Sequence, residues 1–346
     1  MYVPSNRMWL LSTERAELHY FNEPGDVPGG YAILSHVWGE NEQSFQGTQE
    51  LRISCANSAI DLASRNVFGP VMSSNPRDHS SPKVRQSCIV AERYGYKWIW
   101  NDTCCIDKTS STELTEAINT MFRYYELSQM CFAYLADVSS ASSADPTNRE
   151  FCTSRWHERG WTLQELIAPE SVVFLSREWE YFGNKHDLAS VLESVTHVPS
   201  SLLKGEEDID RFSVAQRMSW AIGRKTTRLE DRGYSLLGIF GITMTVLYGE
   251  GNRAFGRFQE KLAKRSTDTS LLSWGLRLSW KSLCTVASSE PQNHAHHLPE
   301  RYLLSPSPDY FHPTRATSYT LSCASFLQAV NQQVSSSLCN SFGRSC

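Results

Sequence analysis

An open, doubly wound α/β fold is what this sequence predicts: a parallel sheet, then a mainly helical C-terminal half and a disordered tail of low order. Three observations carry the expectation. Short β-rich runs alternate with longer helical patterns between Tyr31 and Leu175, in the order strand, helix, strand, helix, strand, helix, strand that a wound sheet requires. From about His186 the patterns turn mainly helical. Beyond Trp274 the periodicity fades, and Ser288 to Cys346 is rich in Ser, His, Pro and Asn with no sustained amphipathic pattern, a composition that cannot bury a face of its own.

Residues 1–29 form an N-terminal extension in which Met8 to Leu11 and Glu17 to Phe21 are expected as an antiparallel pair. The α/β part is expected over residues 30–180. Tyr31 to Ser35 (YAILS) is its first strand, entered from the turn signal Pro28-Gly29-Gly30. Pro82 opens a helix to about Glu92, with Val84, Cys88 and Ala91 on one side, and Lys97 to Trp100 reads as a buried strand. Ser110 and Glu113 fit a capping box, and Leu114, Ile118, Met121, Phe122 and Tyr125 follow at helical spacing. Cys131 to Leu135 is the next strand, and Ser139 to Asp145 (SSASSAD) a solvated loop. Arg155 to Ile167 reads as one helix stopped before Pro169, after which Val172 to Leu175 closes the series. Residues 181–275 are expected as a helical part packed on the sheet, with helices at Asp187 to Val195, Val214 to Ile222, Asp231 to Phe240 and Asn252 to Ala263. Residues 276–346 are the tail.

Composition narrows the function. With 346 residues and 40% hydrophobic content the chain can fill a core. A formal charge of -4 leaves no basic stripe able to neutralise a run of phosphates, which argues against nucleic acid as a partner. The N-terminus MYVPSNRMWL lacks the pattern of a secretory signal. The longest apolar stretch, Tyr234 to Tyr248, is too short to span a bilayer and is broken by Gly238 and Gly241. No membrane span and a cytoplasmic location are therefore expected. Ten cysteines include no C-x-x-C pair, only the adjacent Cys104 and Cys105; they read as reduced, mostly buried thiols, with no metal site.

Three segments stand out: YAILSHVWGE (Tyr31 to Glu40), WIWNDTCCIDK (Trp98 to Lys108) and SRWHERGWTLQELIAP (Ser154 to Pro169). In this order they resemble the signature blocks of the fungal heterokaryon-incompatibility (HET) domain. Downstream, FSVAQRMSWA, EDRGYSLLGIF and LYGEGNRAFGRFQEK are similar to the region that follows the domain in many such proteins, so the resemblance covers about residues 8–275. Two places depart from the pattern. Asn101 stands where an apolar residue is expected before Asp102, and a buried amide there must find partners or cost about 1–3 kcal/mol; residues 62–74 do not read like the usual approach to the second block.

The resemblance implies an effector of self/non-self recognition whose activation leads to programmed cell death, a form of innate immunity, acting through protein partners and self-association. The HET family is also likened to Toll/interleukin-1 receptor (TIR) domains, which implies a TIR/flavodoxin-like sheet. YAILSH has the first-strand pattern of a TIR domain, and Trp161-Thr-Leu-Gln-Glu165-Leu is similar to the helix that carries the catalytic glutamate of NAD-cleaving TIR domains. By that similarity Glu165 is the candidate catalytic residue, with NAD as substrate and no bound cofactor. Ser35 and His36 end the first strand and Asp102 the second, so both fall at the rim where a wound sheet binds ligands. Arg159 is placed to hold a phosphate, Trp161 or Trp38 to stack on a ring, and the backbone at Gly39 to approach a ligand closely.

Plainer readings stand beside these. Glu165 suits the first turn of a helix, where a carboxylate is favoured by the macrodipole. Asp102 suits a turn after a strand, and His36 a satisfied core position. Trp38, Trp156 and Trp161 suit packing. A non-catalytic adaptor acting by self-association is the main alternative to an NAD hydrolase. A cysteine-dependent hydrolase, with Cys104 or Cys105 as nucleophile and His36 or His157 as base, is the third.

Overall fold

The computed structural model describes residues 8–65, 75–140 and 149–274. Seven strands share one sheet: β1 (Met8–Ser12), β2 (Leu18–Phe21), β3 (Ala32–His36), β4 (Trp98–Trp100), β5 (Met130–Tyr134), β6 (Val172–Leu175) and β7 (Tyr181–Asn184), in the spatial order β2-β1-β4-β3-β5-β6-β7. β3 lies at the centre because all five of its residues are buried. Covered on both faces, such a strand reads as an apolar run and not as an alternation. It pairs in parallel with β4 (Ala32↔Ile99) and with β5 (Ala32↔Met130 through His36↔Tyr134), and β5 continues in parallel to β6.

The expected parallel sheet is thus its core only. β1 runs antiparallel to both β2 and β4, and β7 runs antiparallel to β6, so the sheet is mixed. The expected N-terminal pair is the β1–β2 hairpin; β7 was not expected, because YFGN carries Gly183 and Asn184, residues that signal turns. Gly183 lets the strand pass close to Leu188, whose Cδ1 would lie 2.8 Å from a Cβ there.

Around the sheet lie α1 (Phe45–Arg65), α2 (Pro76–His79), α3 (Pro82–Arg93), α4 (Ser111–Glu126), α5 (Arg149–Cys152), α6 (Arg155–Glu158), α7 (Thr162–Ile167), α8 (Ala189–Thr196), α9 (Ser200–Leu203), α10 (Val214–Ser219), α11 (Asp231–Tyr234) and α12 (Arg253–Arg265). The α4 start is half of the expected capping box. Ser110 Oγ accepts from Glu113 N at 3.3 Å, but Glu113 Oε1 accepts from Asp107 N and not from Ser110. Asp231 to Phe240 is helical only to Tyr234. Most of residues 62–74, most of the Ser139 to Asp145 loop and the whole tail from 276 lie outside the described residues. The described residues up to Asp268 form one compact unit, and a separate unit begins at Thr269. Among the described residues no helix is long and apolar enough to cross a membrane.

The expected single helix over Arg155 to Ile167 is broken. α6 and α7 are separated by Arg159–Trp161, where Arg159 forms a parallel bridge with Lys225. Gly160 N donates to Lys225 O at 2.8 Å and Lys225 N to Glu158 O at 2.5 Å. Gly160 admits this approach because a Cβ there would come within 2.5 Å of Thr226 Cγ2. A backbone segment from the helical half therefore fixes the direction in which α7 leaves.

Candidate functional site

The parallel strands are wound in opposite senses on the two sides of β3: the chain goes first to β4 on one flank and then to β5 on the other. Ligands of wound sheets bind beyond the carboxyl ends of the strands at such a reversal. Ser35 and His36 end β3, and Asn101 and Asp102 follow β4 directly. A tight turn pairs only the oxygen of the buried Asn101 amide, and its Nδ2 has no partner among the described residues. Its Oδ1 accepts from Thr103 N at 3.2 Å and Thr103 Oγ1 at 2.9 Å, while its carbonyl takes the N–H groups of Cys104 and Cys105.

α7 brings Glu165 onto this rim. The side chain is 5% exposed. Ser35 Oγ donates a hydrogen bond to Glu165 Oε2, and Trp156 Nε1 donates to the same Ser35 Oγ at 2.8 Å. Tyr125 flanks the carboxyl, and its hydroxyl donates to Leu34 O at 3.0 Å. Burial raises the Glu165 carboxyl to about 7, against the lowering effect of the Ser35 hydroxyl; the Asp102 charge adds to the rise and Arg159 opposes it. Asp102 and Arg159 thus both act on Glu165 across the rim.

A second set of charges sits on the loop after β3. Trp38 is 42% exposed and its Nε1 donates to Asp102 Oδ2 at 2.7 Å. Lys108 Nζ lies 4.0 Å from the centre of the Trp38 ring and the Arg159 guanidinium carbon 5.3 Å away, a cation–π pairing at an aromatic surface. His36 stands between two carboxylates, with Nε2 3.7 Å from Glu42 and Nδ1 3.9 Å from Asp102. Glu42 also takes Gly39 N at 2.6 Å and an ion pair from Lys83. Burial by itself would raise the Glu42 carboxyl, but His36, the Gly39 N–H and Lys83 together outweigh it and hold the group at about 2.

Seven of the eight candidate residues therefore meet: Ser35, His36, Trp38, Gly39, Asp102, Arg159 and Glu165. Trp161 hydrogen-bonds the Asp231 carboxyl, which burial raises and on which Arg159 also acts. Glu42, Lys108, Tyr125 and Arg224 belong to the arrangement without having been singled out. Lys108 was visible as the last residue of the second block, whereas Arg224 reaches Arg159 O from a distant loop. Cys104 and Cys105 are buried, and burial raises both thiols, the first to about 11, which disfavours the thiolate that a nucleophile needs. His157 is likewise buried and held neutral by that burial, down at about 4. Among the described residues no group of three or more His, Cys, Asp or Glu could hold a metal ion.

A family model described as "Heterokaryon incompatibility protein (HET)" matches residues 31–150. The chain is also 41% identical over 262 residues to "Vegetative incompatibility protein HET-E-1" of Podospora anserina, an alignment that covers 72% of this chain and 18% of that protein. The chain thus spans less than a fifth of the length of that relative. No solved structure matches it.

Proposed function

This chain belongs to the heterokaryon-incompatibility (HET) domain family, and from that premise we propose that it acts inside the cell as an effector of vegetative incompatibility, killing by hydrolysis of NAD at Glu165 in a TIR-like site. The observation that carries this reading is a carboxyl buried at the carboxyl ends of the parallel strands, raised by that burial to about 7 and met by Ser35. Such a group is costly to stability, and strongly perturbed acids concentrate at sites of chemistry. In the reaction the bond between nicotinamide and ribose breaks, nicotinamide leaves with the electron pair, and water adds to the ribose carbon and gives up a proton. The cationic ribose in the transition state is stabilised by the nearby carboxylate. Trp38 offers a ring surface, while Lys108 and Arg159 place positive charge for the linking phosphates.

The test is purified protein at high concentration with NAD, following free nicotinamide against Glu165→Gln. Release by the wild type and its loss in a folded variant are expected. Equal release by both removes Glu165 from the chemistry.

One observation favours the adaptor reading, in which the domain signals by self-association. Glu165 is only 5% exposed, one of its oxygens is taken by Ser35, and neither of the two cavities described for this chain is lined by it. Cell killing that survives Glu165→Gln would select that reading.

A further inference from the structure

A cavity of about 230 Å³ opens where α5, α6 and α8 meet the segment after α10; its lining includes Ser154, His157, Thr196, His197, Trp220 and Arg224. Two of these groups are unsatisfied. His157 is 6% exposed, its ring packed edge-on against Phe151 at 5.0 Å and Trp156 at 5.4 Å. The Phe151 carbonyl lies beside the ring, yet neither ring nitrogen has a hydrogen-bond partner among the described residues. Arg224 is held by three bonds: Nε to Trp220 O at 3.1 Å, and Nη1 to Arg159 O at 2.9 Å and Thr162 Oγ1 at 3.1 Å. Its Nη2 is buried and has no partner.

Buried donors left in this state are costly, and a guanidinium edge is the group best shaped to receive an oxyanion. The imidazole adds a second requirement. A neutral ring has one N–H and one bare nitrogen, so its best complement both accepts and donates. A phosphate oxygen can accept from Arg224 while a phosphate hydroxyl donates to His157; a carboxylate lacks the second capacity. Two carboxylates act from nearby, Asp137 on His157 and Glu165 on Arg224, and Glu158, also in the lining, is tied to Lys225 at 2.7 Å.

We propose that this cavity binds a phosphate group, gripped by the free edge of Arg224 and by the His157 ring. The proposal is independent of the NAD reading. It gives the ligand a route to the rim, because the same guanidinium holds the Arg159 carbonyl and the Thr162 hydroxyl at the entry to α7, the helix that carries Glu165.

The test is titration of the whole chain with inorganic phosphate, read by calorimetry and by the NMR signals of the His157 ring, with chloride at matched ionic strength as reference. Saturable binding that shifts those signals is expected, weakened about tenfold or more in His157→Phe, which keeps the aromatic packing, and in Arg224→Gln. Should Arg224→Gln not fold, His157→Phe decides alone. A response to phosphate no greater than to chloride overturns the proposal, as does undiminished binding in His157→Phe. Acetate separates the two oxyanions: weaker binding than phosphate is expected, and equal or tighter binding overturns the phosphate assignment.

Discussion

Replacing Glu165 by Gln should stabilise the protein above neutral pH and do so far less in acid. The carboxyl goes from an ordinary 4.5 to about 7 in the folded chain, chiefly by burial. At about 1.4 kcal/mol per pH unit, that difference makes the ionised form about 3 kcal/mol less favourable in the folded state than in the unfolded one. Because the folded value lies above the unfolded one, this stability is fully present below about pH 4.5 and is lost as pH rises through about 7. Gln keeps an oxygen that can accept from Ser35 and has nothing to ionise. Any pH-independent effect of the substitution cancels when its effect at about pH 5 is subtracted from its effect at about pH 8, leaving about 2–3 kcal/mol in favour of the variant. His157, held down at about 4, works in the opposite direction: its neutral burial loses stability as pH falls from about 6.5 towards 4, equally in both proteins, and so drops out of the difference. Urea unfolding followed by tryptophan fluorescence at the two pH values is the assay. A variant whose advantage is the same at both, within about 0.5 kcal/mol, would refute the reasoning, since the carboxyl would then ionise as a hydrated one does.

Three further outcomes follow from packing and burial. Gly238→Ala places a Cβ against Phe122 Cβ, near the rigid end of that side chain, and should cost about 1–3 kcal/mol by denaturant titration. Trp156→Phe removes the indole donor to Ser35 Oγ from a fully buried site and should cost about 1–3 kcal/mol from the lost bond and the space left behind. With thiols pushed up by burial, Cys104 and Cys105 should resist iodoacetamide in the native protein near neutral pH and react once it is unfolded; mass spectrometry of the alkylated peptides reads the difference.

The four parallel strands were legible because strands buried on both faces leave apolar runs, as AILSH and VVFL do. Legible too was the meeting of Ser35 and Asp102, since adjacent parallel strands send those ends to one rim; Glu165 reaches it from α7, whose direction strand order does not set. β7 was hidden by Gly183 and Asn184, which favour turns in isolation and form a strand here because β6 offers a partner. α1 was missed because its pattern is only weakly two-sided; of its residues through Asn57 only Thr48 and Cys55 are buried. The break between α6 and α7 depends on Lys225, far along the chain, and local spacing carries no trace of such a partner. Trp161 illustrates the same limit. Four residues from Glu165 in sequence, it bonds Asp231, a partner supplied from the helical half.

The Arg159–Lys225 bridge sets how small a working piece of this chain can be. The family match ends at residue 150, but the Gly160 amide is closed by Lys225 and the start of α7 by Arg224. A fragment trimmed at the family boundary has no Glu165, and one trimmed after β6 keeps it on a helix whose incoming backbone has lost its anchor. Transplanting this domain onto another protein calls for the chain through the α10–α11 connection, because the acid and the residues that aim it are supplied by different halves of the sequence.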